Sequence, residues 1–166
     1  WLCGPKGSSF LYVKKSHQNW VKPIIYSWGK NGDDPGPSEF LQDFQWQGTR
    51  DMSSFLTIPK AIDFFLEYIQ PNQGHCRKII LEAFSQFQSI LGTNAISPGS
   101  EWIGQMVSHP LPKDISTDIK EILWKKHKIE IPIFEWNGDY YIRSSFQVYN
   151  EKRDLDSLMS VLGSIF

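Results

Sequence analysis

Arg143 sits where a charged side chain can meet a ligand. The run Tyr140 to Tyr149 alternates, with Tyr140, Ile142, Ser144, Phe146 and Val148 on one side, mainly apolar. Tyr141, Arg143, Ser145, Gln147 and Tyr149 share the other, polar side. Successive side chains of a strand point to opposite faces, so Arg143 points away from the core among hydrogen-bonding neighbours. A guanidinium there suits two-pronged capture of a carboxylate. A solvated or salt-bridged surface arginine has the same pattern, and spacing alone does not separate the two.

Gly48-Thr49-Arg50-Asp51 is a second candidate. It stands where a helix is predicted to begin, and free amides at a helix start plus a threonine hydroxyl make an anion site that suits phosphate. Glycine lets the backbone approach closely. Ordinary capping by Thr49 or Asp51 is the alternative. Gly4-Pro5-Lys6-Gly7 lacks the spacing and the hydroxyl of a nucleotide loop, so Lys6 is a turn residue. His75 and Cys76 are adjacent, about 100° apart on a helix, and cannot easily share a metal. Cys76 lies on an apolar stripe and is assigned to the core. Cys3 is ambiguous, and His17, His109 and His127 are isolated residues, structural or exposed. No metal-ligand spacing is present.

The elements around these residues follow from periodicity. Short strands are predicted at Ser9 to Val13 and within Val21 to Trp28, with a turn-rich loop from Gly29 to Ser38. Phe55, Ile58, Ile62, Phe65, Leu66 and Ile69 recur at helical spacing, with Pro59 near a start or a break. Cys76, Ile79, Ile80, Ala83, Phe84, Phe87, Ile90 and Leu91 form one continuous stripe, which Gly92 stops. Then come a strand from Trp102 to Ser108 and a helix from about Ser116 to His127. Strands Ile131 to Trp136 and Tyr140 to Tyr149 are joined by Asn137-Gly138, a two-residue hairpin turn. Asn150 is the expected N-cap of a last helix carrying Leu155, Leu158, Met159 and Leu162.

Composition narrows the function classes. The 166 residues are 40% apolar, enough for a core, and the net charge of −1 gives no field for nucleic acid or an anionic membrane. Two cysteines make no disulfide framework, which points to a reducing, cytoplasmic setting. No apolar run approaches a membrane span. The opening Trp1-Leu2-Cys3-Gly4 has the character of a fold interior, so a truncated or processed chain is expected. Trp20, Trp28, Trp46, Trp102 and Trp136 could serve as sugar-stacking platforms, but tryptophans at such positions are more often packed.

Three stretches in register resemble the class V aminotransferase family, in its isopenicillin N epimerase-like branch. They are Trp1-Leu2-Cys3-Gly4-Pro5-Lys6-Gly7 through Val13, then Gln47-Gly48-Thr49-Arg50-Asp51, and then Tyr141-Ile142-Arg143-Ser144-Ser145 through Tyr149-Asn150. The first is similar to the segment that follows the family's cofactor lysine. The resemblance implies α/β and α+β architecture: the C-terminal part of a fold-type-I pyridoxal-phosphate (PLP) enzyme, a homodimer whose two subunits build each site. Residues 1–70 would close the large PLP-binding domain, 71–92 would be a connecting helix, and 93–166 would form the small C-terminal domain with antiparallel strands.

By the same likeness, Thr49 with Gly48 would hold the cofactor phosphate, in the partner's site, and Arg143 would hold the substrate α-carboxylate. The Schiff-base lysine would lie just before Trp1, so this chain alone is expected to be inactive and to bind no PLP, whereas the parent would act on an amino acid at Cα. Residues 14–37 contain no cysteine, which weighs against sulfur transfer. The competing reading is a non-catalytic, stand-alone α+β module that binds a partner or a small anion.

Overall fold

The computed structural model describes residues 1–31, 37–115 and 118–166. They fall into two compact units, residues 1–64 and 65–166. The regular structure of the first unit is helical: α1 (Glu39–Phe44), α2 (Ser53–Leu56) and α3 (Ile58–Phe64). Ser38 begins α1, its hydroxyl accepting from the Leu41 amide at 3.3 Å.

The preceding loop is fastened to α1 by one buried carboxylate. Asp43 is fully buried. Its Oδ1 lies 3.1 Å from Lys30 Nζ and its Oδ2 3.4 Å from Lys22 Nζ. The Ser27 amide donates to the Asp43 carbonyl at 2.8 Å, and the Ser27 hydroxyl donates to the Gln42 carbonyl. Removing one partner of such a cluster leaves charge behind, but both lysines are half-exposed and can turn to water. Asp43→Ala is therefore expected to cost about 1–2 kcal/mol, less than the roughly 3–5 kcal/mol of a pair buried on both sides. Faster amide hydrogen exchange in residues 21–31 and 39–45 is the check.

The strands expected at Ser9–Val13 and within Val21–Trp28 do not form. Both runs are irregular, with 3₁₀ turns at Lys15–His17 and Trp28–Lys30. Phe10, Leu11, Tyr12, Ile24 and Ile25 are exposed. Apolar composition gives a preference for strand, but a strand exists only beside a hydrogen-bonded neighbour, and none pairs with these runs among the described residues. Most of the turn-rich stretch from Gly29 to Ser38 lies outside the described residues.

The helix expected from Phe55 to Ile69 is broken into α2, α3 and a π-helical turn, Phe65–Ile69. Pro59 has no N–H for the Phe55 carbonyl, so the helix restarts there. Thr57 closes α2 by donating its hydroxyl to the Ser54 carbonyl at 2.9 Å.

In the second unit α4 (Gln73–Leu91) is the central helix. Its stripe of Cys76, Ile79, Ile80, Ala83, Phe87 and Leu91 is buried, and Gly92 ends it in the left-handed region at φ 62°. Strand β1 (Met106–Pro110) begins later than the sequence predicts. Residues Ser100–Trp102 form a 3₁₀ turn instead, and Arg77 holds it by donating to the Ile103 and Ser100 carbonyls, each at 2.9 Å.

Helix α5 (Ile119–His127) ends at Lys128, φ 59°, where the Ile129 amide returns to the Leu123 carbonyl. Its expected start at Ser116 lies outside the described residues. Strands β2 (Ile133–Trp136) and β3 (Asp139–Ser145) follow. Asn137 and Gly138 join them with φ of 52° and 83°, as a two-residue hairpin turn requires. The antiparallel sheet has the order β1-β3-β2, so β3 is central.

The strand expected to reach Tyr149 stops at Ser145 because side chains knit a turn beyond it. The Gln147 amide donates to Asn150 Oδ1 at 3.0 Å, and Gln105 Nε2 donates to the Phe146 carbonyl at 2.9 Å. Asn150 is thus engaged in that turn. The N-cap of α6 (Lys152–Ile165) is Glu151, in a capping box with Asp154. Leu155, Leu158, Met159 and Leu162 of α6 close the core over α4.

Candidate functional site

Central position in the sheet fixes Arg143. Its amide donates to the Pro132 carbonyl at 3.0 Å, and Ser108 of β1 is its cross-strand partner. Its side chain is exposed, as the alternation predicts, and makes no ion pair or hydrogen bond among the described residues. It lines a groove of about 540 Å³ with Lys128, Ser145, Tyr149, Asn150 and Asp154. A guanidinium with all its donors free, on a rigid strand at a groove wall, can accept a carboxylate in the two-pronged manner.

The polar face of β3 is less polar than its letters. Tyr141 is 7% exposed because aromatics of β2 cover it. Phe134 stacks on Tyr141 with ring centres 5.8 Å apart and planes 20° apart, and Trp136 meets Tyr141 edge-on at 5.8 Å. Arg143 lies over the other side of this row, 6.0 Å from the Phe134 ring centre. The sequence reading missed this row, although its signal was present. A two-residue turn at Asn137-Gly138 pairs Trp136 with Asp139 and therefore Phe134 with Tyr141.

Gly48 and Thr49 belong to the first unit. They do not stand at a helix start: α2 begins only at Ser53, has four residues, and has Met52 at its cap position. The premise of a helix-end anion site fails there. The capping work falls to Asp51, which accepts from the Ser53 amide at 2.8 Å and the Ser53 hydroxyl at 3.0 Å. Those two bonds, the amide first, hold its carboxyl below the usual range. Gly48 has φ 97° with open space where a Cβ would be, and Thr49 is exposed with no partner among the described residues. Free amide and hydroxyl donors beside an uncrowded glycine fit the oxygens of a phosphate ester, PLP included.

The other candidates resolve simply. Cys76 is buried, and burial pushes its thiol pKa up. Cys3 is exposed, with φ 54°. His17 accepts from Trp20 Nε1 at 3.3 Å, while His75 and His127 are exposed. His109, expected to be structural or exposed, is wholly buried between Phe84 and Phe87. The five tryptophans are exposed, by 46% to 72%, although Trp136 meets Tyr141 and Trp20 meets His17 edge-on. Among the described residues no cluster of His, Cys, Asp or Glu could hold a metal, and no helix is long and apolar enough to cross a membrane.

No family model matches the chain. Curated relatives match nearly all of it. Isopenicillin N epimerase of Amycolatopsis lactamdurans is 25% identical over 98% of this chain and 44% of its own length. Hercynylcysteine sulfoxide lyase of Schizosaccharomyces pombe is 25% identical over 98% and 43%. A probable L-cysteine desulfhydrase of Arabidopsis thaliana is 26% identical over 99% and 38%. The chain thus spans less than half the length of these relatives.

Among solved structures, a cystine C-S lyase in complex with its product cysteine persulfide matches with a TM-score of 0.70 at 16% identity, over 98% of this chain and 44% of that one. A mutant of that lyase carries glycine covalently linked to its PLP cofactor. Apo cysteine desulfurase from Thermococcus onnurineus NA1 matches with a TM-score of 0.67 at 16% identity, over 93% and 42%. The homologues of this chain are therefore class V PLP-dependent enzymes of the isopenicillin N epimerase and cysteine desulfurase kind, and its fold is that of the C-terminal two-fifths of a fold-type-I PLP enzyme.

Proposed function

We propose that this chain is the C-terminal portion of a PLP-dependent enzyme that acts on an amino acid at Cα. The observation that carries the reading is Arg143: a guanidinium with no hydrogen bond or ion pair among the described residues, on the central strand, at a groove wall, in a chain whose relatives are PLP enzymes. On this reading Arg143 takes the substrate α-carboxylate and fixes which bond at Cα is presented for reaction. Thr49 and the Gly48 backbone donate to the cofactor phosphate, in the partner subunit's site of a cytoplasmic homodimer. Residues 1–70 finish the large domain, 71–92 connect, and 93–166 form the small domain. When bound, PLP supplies the electron sink for chemistry at Cα. On this reading the part played by residues 1–166 is binding and orientation.

The test uses the whole protein that carries this chain. Incubated with PLP and amino acids in D₂O, it should exchange the α-proton of its substrate, an event common to epimerisation, amino transfer and loss of a β-substituent. Mass spectrometry reads the deuterium. Failure to retain PLP, together with no exchange for any amino acid, would leave the non-catalytic module instead. Thr49→Ala should weaken PLP retention by about 10-fold, as loss of one hydrogen bond to a charged group does. Fluorescence titration of the cofactor checks it, and unchanged affinity removes Thr49 from the site.

A further inference from the structure

We propose that Phe134 is a positioning residue, whose ring face holds the Arg143 guanidinium in the direction from which it receives the substrate carboxylate. The inference rests on the reading of Arg143 given above and adds what makes that arginine competent. An arginine side chain has about 2 kcal/mol of rotamer entropy to lose on binding. An arginine can be held in place by a carboxylate or a carbonyl that takes its hydrogen bonds. Arg143 has neither among the described residues; its β1 partner Ser108 and its same-face neighbour Ser145 are small, and its other same-face neighbour, Tyr141, is stacked against Phe134. The Phe134 face, 6.0 Å from the guanidinium carbon, is the ring contact of Arg143 among the described residues.

Phe134 can do this because it is itself fixed. It stacks on nearly buried Tyr141, which Trp136 meets edge-on. The hairpin turn sets the register that brings the three rings together. A cation over a ring face is attracted without being neutralised. The contact therefore orders the guanidinium while leaving its charge and its donors for a ligand, which an ion pair would not. Ordering before binding lowers the entropy lost on capture.

The experiment uses the whole protein with PLP and two readouts: glycine binding by calorimetry, and the separation of KM from kcat with the amino acid whose α-proton the protein exchanges. Phe134 is replaced by 3,4,5-trifluorophenylalanine, which keeps the shape and drains charge from the ring face, and separately by Leu and by Trp. The fluorinated ring and Leu should each weaken glycine binding and raise KM by about 2- to 5-fold with kcat little changed, and Trp should bind as the wild type does. The fluorinated variant keeps the test valid if Phe134→Leu fails to fold. Arg143→Gln is the reference. If it weakens binding while the fluorinated variant binds like wild type, Phe134 has no positioning role and the Arg143 reading stands. If Arg143→Gln leaves glycine binding unchanged, the carboxylate reading falls and this inference with it.

Discussion

With glutamine in place of Arg143, the whole protein is expected to lose about 10²-fold in kcat/KM for its amino-acid substrate, with its unfolding midpoint unchanged. Truncating one partner of a hydrogen-bonded charge pair costs about 2–5 kcal/mol, and each 1.4 kcal/mol is about tenfold. The groove is open rather than sealed, which places the effect at the low end of that range. Stability should not move because the Arg143 side chain is exposed and has no ion pair or hydrogen bond among the described residues. Arg143→Lys keeps the charge and loses the planar fork, so its loss should be intermediate. Steady-state kinetics and thermal unfolding of the two variants check both halves. An unchanged KM in Arg143→Gln would place the carboxylate elsewhere.

Arg143 was legible because everything that places it is local. Alternation from Ile142 to Ser145, the positive-φ dipeptide Asn137-Gly138 and the stripe of α4 stopped by Gly92 each follow from a few neighbouring residues, and the second unit forms as they direct, whereas the alternation predicted on to Tyr149 ends with the strand at Ser145. The first unit follows a different rule. Ser9–Val13 has the composition of a strand, but a strand depends on a partner distant in sequence, and composition does not name one. Apolar spacing that begins near Phe55 predicts a helix start at Thr49, whereas Asp51 takes the Ser53 amide and the helix begins at Ser53. Side-chain competition of this kind also moved the last cap from Asn150 to Glu151. The resemblance to PLP enzymes came from the order of three short motifs, not from the elements around them.

His109 was the least legible residue, and it should govern the acid stability of the second unit. In sequence it is one isolated histidine. Only the pairing of β1 with β3, which sets it opposite Ile142, turns it inward. There it is wholly buried, 5.2 Å from the Phe87 ring and 5.4 Å from Phe84, and neither nitrogen has a partner among the described residues. On α4, Phe84 and Phe87 face it; on β3 the neighbours of Ile142, Tyr141 and Arg143, point to the opposite side of the sheet. Cys76 is the other titratable group of this core, more than two turns back along α4.

Among the described residues no charge compensates an imidazolium there, and burial lowers the His109 pKa from 6.5 to about 4. The unfolded chain then takes the proton first as pH falls. The His109 contribution is complete above the unfolded pKa, and it is lost as pH falls from that value through the folded one. The loss should reach about 2 kcal/mol by pH 5 and about 3 kcal/mol by pH 4. His109→Leu fills the same slot without a polar atom. It should be more stable than wild type by about 1 kcal/mol at pH 7, and by several kcal/mol near pH 4. Urea unfolding of both proteins from pH 7 to pH 4 measures the difference and cancels the carboxylates common to them. A constant difference across that range would mean that folded His109 binds its proton as readily as the unfolded chain does, which is incompatible with a dry slot between two phenylalanines.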